Sequence, residues 1–208
     1  MSVVDFGGLT ISYDDTVLQP RGWTLHQSLW GLQLLREVPE GPVLELCSGA
    51  GQIGLVVAAR SARRLVCVDA SPAAASYTAR NAEAAGLLER VEIRLERMSQ
   101  ALRRRERFPL IIADPPWVRR DQTGRFPEDP LSAIDGGDDG LDLARECVTL
   151  IGRHLALGGA ALLQIGSGEQ VGALAASLEE AGLEVVETRD FGDRGVLVRL
   201  RRARPGPS

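Results

Sequence analysis

The sequence predicts a doubly wound α/β fold on a seven-stranded, mostly parallel sheet, and three observations carry that expectation. From Pro42 onward short apolar runs alternate with helical patterns, a βαβα succession that places helices on both faces of a parallel sheet. A glycine-rich loop, Ser48-Gly-Ala-Gly51, joins the first run to the first helix. The fourth run stops at Asp114-Pro-Pro-Trp117, a strand end of the kind where open parallel sheets bind ligands.

Taken in order, Val43–Cys47 reads as a buried strand, 51–60 as a helix and Leu65–Asp69 as the second strand. Ser71 supplies an N-cap with Pro72 at the first helical position, for a helix that runs to Ala85 and is stopped by Gly86. Val91–Leu95 is the third strand, a short helix spans 99–104, and Leu110–Ala113 is the fourth strand. A helix over 141–155, a strand over 159–165, a helix over 170–181 and closing strands over 183–188 and 196–200 complete the unit. Upstream, 8–18 reads as a hairpin turning at Asp14-Asp15, and 24–37 as a helix. The expected division is an N-terminal hairpin and helix extension over 1–40 packed on the core, one domain over 41–202, and a frayed tail over 203–208.

At 208 residues, with 44% hydrophobic and 25% charged residues, the chain can bury one large core under a solvated surface. No apolar run reaches the roughly 18 residues of a membrane span. The opening Met1-Ser-Val-Val-Asp-Phe6 lacks the basic start and apolar stretch of a secretory signal, so a cytoplasmic location is expected. A net charge of −4 does not favour a broad grip on nucleic acid. Cys47, Cys67 and Cys147 are far apart and the histidines are His26 and His154, so no metal site is expected.

Gly49 and Gly51 permit a tight turn whose backbone N–H groups approach a ligand closely. Asp69 ends the second strand, where a carboxylate accepts the protons of both ribose hydroxyls of a nucleoside. Gly49-x-Gly51-x-x-Gly54 also satisfies the dinucleotide fingerprint, so a nicotinamide-dependent oxidoreductase stands as a competitor. Glu45 counts against it. An acid ahead of the loop suits the cationic amino group of an amino-acid cofactor and repels a pyrophosphate. The plain alternative is a glycine turn that holds no ligand.

At Asp114-Pro115-Pro116-Trp117 two prolines fix φ and remove two backbone donors. What remains is rigid and acceptor-only: the Asp114 carboxylate and the Pro115 carbonyl, one for each hydrogen of a planar NH₂ group. Holding both hydrogens turns the nitrogen lone pair toward a methyl donor, and Trp117 can pack on a flat substrate. Orientation of this kind supplies ~7–11 kcal/mol of a barrier, against about 10²–10⁴-fold from general base catalysis. Positioning therefore dominates, with Asp114 as proton acceptor after transfer; Asp114 can also deprotonate a hydroxyl. The structural alternative is a turn that merely closes the strand.

The glycine loop, Asp69, Asn81 with its following Ala-Gly-Leu, and Asp114-Pro-Pro-Trp117 resemble the class I methyltransferases that act on amino groups. Ala133-Ile-Asp-Gly-Gly-Asp-Asp-Gly-Leu-Asp142 is similar to a segment of the HemK/PrmC family, which methylates the amide nitrogen of a glutamine in translation release factors; Gln164-Ile-Gly166 and Asp190-Phe-Gly-Asp-Arg-Gly-Val196 continue the match. The likeness spans roughly 41–200, with Leu18-Gln-Pro-Arg21 like a degraded entry motif. It implies the Rossmann-like class I methyltransferase fold and S-adenosyl-L-methionine as cofactor, with S-adenosyl-L-homocysteine as product. Glu45, Gly49 and Gly51 would contact the methionine part, and Asp69 the ribose; Asp114 and the Pro115 carbonyl would hold the amide nitrogen. The expected cofactor set is Glu45, Cys47, Ser48, Gly49, Gly51, Asp69, Ala70, Arg97, Met98 and Asp114, and the expected catalytic set Asp114, Pro115, Pro116 and Trp117.

The chain also departs from that family. Asp114 and Trp117 stand where it carries Asn and Tyr, and Asp at the first position is shared with adenine-N6 methyltransferases. Cys47 replaces a glycine, Arg97 stands where an acid would meet the adenine amine, and the stretch before Pro42 leaves no room for the family's N-terminal helical domain. Arg21, Trp23, His26, Trp117 and Arg119 are the expected substrate contacts, and 118–140, rich in Gly, Pro and Asp, is an expected lid. Arg103–Arg107 and Arg119, Arg120 and Arg125 read either as a basic mouth or as a solvated surface. The leading expectation is N-methylation of a planar amino or amide nitrogen, in a small molecule or a protein glutamine. Behind it stand a nucleic-acid adenine-N6 methyltransferase and a non-catalytic cofactor-binding partner subunit.

Overall fold

A computed structural model describes residues 1–204. Two strands, β1 (Ser2–Phe6) and β2 (Leu9–Tyr13), precede helix α1 (Leu25–Leu34). The chain then alternates through β3 (Val43–Leu46), α2 (Gln52–Ala59), β4 (Leu65–Asp69), α3 (Pro72–Ala84) and β5 (Val91–Leu95). Next come α4 (Met98–Ala101), β6 (Phe108–Ala113), α5 (Leu131–Ile134), α6 (Asp142–His154) and β7 (Leu155–Ile165). The described chain closes through α7 (Gly168–Ala173), α8 (Ala175–Glu180), β8 (Leu183–Asp190) and β9 (Val196–Arg202).

The seven-stranded sheet has the order β5-β4-β3-β6-β7-β9-β8. Pairings from β5 through β7 are parallel, and β9 runs antiparallel to both its neighbours. The expected fold class is the observed one. Central strands are buried on both faces, which is why β6 reads as a continuous apolar run and β3 as one interrupted only by the buried Glu45. Successive β3 residues go to opposite cores: Leu44 and Leu46 join Val148 and Ile151 of α6, while Val43 joins Trp30 of α1 and Val57 of α2. The hairpin's Phe6 and Ile11 belong to that second core.

Several boundaries differ from the expectation. The hairpin turns at Gly7-Gly8 (φ +58° and +80°), not at Asp14-Asp15. Asp14 instead receives Thr16 N–H on its Oδ1 (3.0 Å) and turns the chain out of the hairpin. The helix expected over 170–181 is two short helices meeting at Leu174, whose N–H is shared between Gln170 O (3.1 Å) and Val171 O (3.2 Å). Strand β7 starts earlier than expected, at Leu155. Ser71 caps α3 through Ala74 N–H (3.3 Å), and Gly86 follows at φ +68°, as the sequence predicts. Of the tail expected to fray over 203–208, Ala203 donates to Gly182 O (2.9 Å), and 205–208 lie outside the described residues. Among the described residues no helix is long and apolar enough to cross a membrane.

Candidate active site

At the carboxyl end of β3 the chain turns through three left-handed residues, Cys47 (φ +57°), Gly49 (φ +55°) and Gly51 (φ +80°). A side chain at Cys47 costs roughly 1–2 kcal/mol in that region, the physical reason a glycine suits the position. A Cβ on Gly51 would lie 2.9 Å from Thr78 Cγ2, while around Gly49 the space is open. Asp69, at the end of β4, accepts Gly49 N–H on Oδ2 and Ser71 N–H on Oδ1, both at 2.9 Å. Each oxygen keeps a lone pair for a further donor, and burial raises this carboxyl's pKa. Thr78 Oγ1 donates to Gly49 O (2.9 Å), and Asn81 Nδ2 to Ala50 O (2.9 Å). Helix α3 thus holds the loop from one side while Asp69 holds it from another.

Beside the loop lies a cavity of about 640 Å³. Cys47, Ser48, Gly49, Asp69, Ala70, Arg97, Met98 and Asp114 line it, so the structure brings most of the expected cofactor set to one cavity. Gly51 lies behind the lining, against Thr78. Glu45 is placed elsewhere. It is 2% exposed and points under the loop, with Oε1 accepting Gly54 N–H (3.0 Å) and Oε2 accepting the Cys67 thiol (3.5 Å). A Cβ on Gly54 would collide with this carboxyl. Burial pushes Glu45 up to about 8, so near pH 7 it is a neutral brace inside the fold, not an anion on the cavity. Sequence reasoning missed Gln52, whose side-chain oxygen is shielded and unpartnered at the cavity wall, and Thr16, Val17 and Leu18, which close it from the hairpin side. Gln52 is an unspecified position of the glycine fingerprint, Leu18 only opens the entry-like Leu18-Gln-Pro-Arg21, and no motif marks Thr16 or Val17.

Asp114 follows directly on β6, and its N–H reaches back to Leu46 O (3.4 Å), fixing the corner against β3. Burial raises its carboxyl to about 6, opposed by the side-chain amide of Gln27 facing it from α1. Asp114 and Pro116 line the cavity, while Pro115 is buried outside its lining. Trp117 does not lie on the cavity wall: its ring packs on Gly166, leaving no room there for a Cβ. Gln170, unremarked in the sequence, binds three backbones at this corner. Its Nε2 donates to Trp117 O (3.1 Å) and Asp139 O (3.2 Å), and its Oε1 accepts Gly166 N–H (2.8 Å). The Gly-rich segment packs behind, with Gly136 N–H on Val118 O (2.8 Å) and a Gly140 that could carry no Cβ against Trp117 O.

The other expected substrate contacts are not in the cavity's lining. Arg21 binds Asp129 through both carboxylate oxygens (2.6 and 2.7 Å), tying the entry segment to the 118–140 segment. Trp23 lies between Arg21 and Arg194, at 5.8 and 5.9 Å, and His26 stacks on Phe191 at 4.8 Å. Arg119 is exposed and paired with Asp121 (3.2 Å). Arg120 pairs with Asp135 and Asp138. The Arg103–Arg107 run is at the far end of the molecule: Arg107 lines a separate cavity of about 530 Å³ at the amino ends of β3, β4 and β6. That run cannot form a mouth for Asp114.

These residues fit an amino-acid nucleoside. Asp69 has acceptors for ribose hydroxyls, Gln52 has a spare oxygen for a cationic amino group, and Met98 with Ala70 offers apolar surface for a base. Comparison with known proteins points the same way. A family profile described as "Conserved hypothetical protein 95" matches residues 19–126. A release factor glutamine methyltransferase from Clostridium acetobutylicum is 31% identical over 203 residues, covering 93% of this chain and 71% of the relative. One from Deinococcus radiodurans is 33% identical, covering 96% and 72%. A ribosomal protein uL3 glutamine methyltransferase from Bordetella pertussis is 30% identical, covering 59% and 43%. Among solved structures, a methyltransferase from Pyrococcus furiosus has a TM-score of 0.68 at 16% identity, covering 93% of this chain and 88% of that one. A ribosomal protein L11 methylase from Lactobacillus delbrueckii subsp. bulgaricus has 0.67 at 14%, covering 90% and 82%. These two show a shared fold. The chain belongs to the family described as Conserved hypothetical protein 95 and to the HemK/PrmC family of release factor glutamine methyltransferases, and is an S-adenosylmethionine-dependent methyltransferase.

Proposed function

We propose that this enzyme methylates the side-chain amide nitrogen of a glutamine in a protein, and that a release factor or ribosomal protein uL3 is the class of substrate. The observation that carries this reading is Asp114, an acceptor at a proline-locked strand end that shares the wall of a cavity of about 640 Å³ with Asp69 and the glycine loop. The substrate class comes from the relatives' names. Bound S-adenosylmethionine supplies an activated methyl group. Asp69 would hold its ribose, Gln52 its amino group, and Arg97 with Met98 would flank its base.

Asp114 and the Pro115 carbonyl receive one hydrogen each from the acceptor NH₂, which fixes the plane of the amide and the direction of its lone pair. Orientation of this kind is worth ~7–11 kcal/mol. Asp114 then takes the proton that the nitrogen releases. A carboxyl raised to about 6 is ionised at pH 7.5 and still basic enough to hold that proton briefly. Gln170 keeps the corner from moving. Trp117, turned onto Gly166, gives no stacking surface in the cavity for a flat nucleobase.

The test is methyl transfer to purified release factor and uL3, read by mass spectrometry of the modified peptide. Wild-type protein should add 14 Da to one glutamine, on the order of one methylene. Asp114→Ala should bind S-adenosylmethionine within about threefold of wild type while turnover falls about 10²-fold or more. Full turnover in that variant would remove Asp114 from the mechanism.

A further inference from the structure

Gln27 is 1% exposed, yet among the described residues neither its Oε1 nor its Nε2 has a hydrogen-bond partner. A buried amide left open on both atoms costs about 1–3 kcal/mol for each unsatisfied group, so its presence needs a cause. Its position supplies one. On α1, a Cβ added to Gly31 would lie 3.3 Å from Ile112 Cδ1 and 3.4 Å from Leu110 Cδ2, so the helix crosses close over β6. Ser28 Oγ is tied to Ile53 O (2.9 Å) at the start of α2. One turn before Gly31, Gln27 therefore lies over the carboxyl end of β6, where the Asp114 corner begins. The Gln27 amide faces the Asp114 carboxylate without the geometry of a formed hydrogen bond.

An acceptor amide has two functions to satisfy: an NH₂ with two donors, and a carbonyl oxygen that accepts. The corner at Asp114 offers acceptors alone and leaves that oxygen without a donor. We propose that Gln27 is an acceptor-binding residue, its Nε2–H donating to the carbonyl oxygen of the substrate amide while Asp114 and the Pro115 carbonyl hold the NH₂. The assignment rests on the glutamine reading above and adds to it the group that separates a carboxamide from a plain amine. It also accounts for the open Nε2 of Gln27, which gains an acceptor in the substrate carbonyl. A donor placed only on the amide side rejects acceptors lacking a carbonyl, because Gln27 would then stay buried and unpaired.

The experiment compares wild type, Gln27→Leu and Gln27→Glu in methyl transfer to purified release factor and uL3, with S-adenosylmethionine affinity by calorimetry and stability by urea. Gln27→Leu keeps the volume and removes the open polar atoms. It should unfold at an equal or higher urea concentration, bind the cofactor within about twofold, and raise the acceptor KM about tenfold or more. Gln27→Glu keeps the shape without the N–H donor, and should show the same loss at pH 7.5. Wild-type kcat/KM in either variant overturns the assignment, as does a parallel loss of cofactor affinity, which would mark Gln27 as structural. A wild-type protein that methylates neither acceptor would instead defeat the glutamine reading itself, and that arm is read before any variant.

Discussion

Glu45 shows how strongly burial acts on a single group. It has no cationic partner, only Gly54 N–H and the Cys67 thiol, with Asp69 and Asp114 adding unfavourable charge. Its carboxyl is raised from 4.5 to about 8. The folded state therefore holds this proton more tightly than the unfolded chain. Between those values stability falls as pH rises, by up to about 5 kcal/mol from this group if the whole shift is expressed. Glu45→Gln removes the titration while leaving an oxygen for Gly54 N–H. Urea denaturation should find the two proteins similar near pH 5 and the variant more stable by about 2 kcal/mol or more at pH 8.5. Equal pH slopes for both would contradict the account. At this scale the sequence was readable where charge and glycine concentrate: Asp69, Gly49 and Asp114 line the cavity as expected. Gln27, Gln52 and Gln170 were not readable. An amide carries no charge and no spacing rule, and its role appears only once distant segments meet. Glu45 misled for the same reason, since the pleat of β3 decides which face it joins and the motif does not reveal the face.

Elements depend on single side chains that bind across them. Asn81, fully buried on α3, accepts Ser12 N–H (2.8 Å) and donates to Ser12 O (3.0 Å) and Ala50 O (2.9 Å). It fastens the edge of β2 to the glycine loop and so fixes where Thr16–Leu18 close the cavity. Asn81→Ala leaves those backbone groups unpaired and should lose about 2–4 kcal/mol of stability in urea denaturation. A loss below 0.5 kcal/mol, roughly the size of an ordinary surface change, would show that water replaces the bonds. Strands and α3 were legible because apolar runs, an N-cap and Gly86 mark them locally. The hairpin turn was misplaced because Asp14-Asp15 resembles a turn signal, whereas the two consecutive left-handed residues a tight hairpin needs are Gly7 and Gly8. The break at Leu174 has no breaker residue of its own; it follows from burying Leu174 at 1% exposure between two short helices.

For the whole molecule, the site follows from topology. Strand order runs outward from β3 through β4 to β5 on one side and from β6 through β7 on the other, so the β3–β6 boundary is the switch point where open sheets bind ligands. The glycine loop leaves β3 there and the Asp114 corner leaves β6 there, which is why both line one cavity. The expected basic contacts were less legible, because those arginines are spent on internal pairs: Arg21 with Asp129, Arg119 with Asp121, Arg120 with Asp135 and Asp138. The central claim is that the methyl donor binds in this cavity with its sulfur turned to Asp114. A crystal structure with S-adenosylhomocysteine tests it most directly. The account expects the ribose hydroxyls on Asp69, the amino group on Gln52 Oε1 and the sulfur facing the Asp114 corner. A ligand seated at the opposite edge among Arg63, Arg64 and Arg107, or one whose sulfur points away from Asp114, would contradict it.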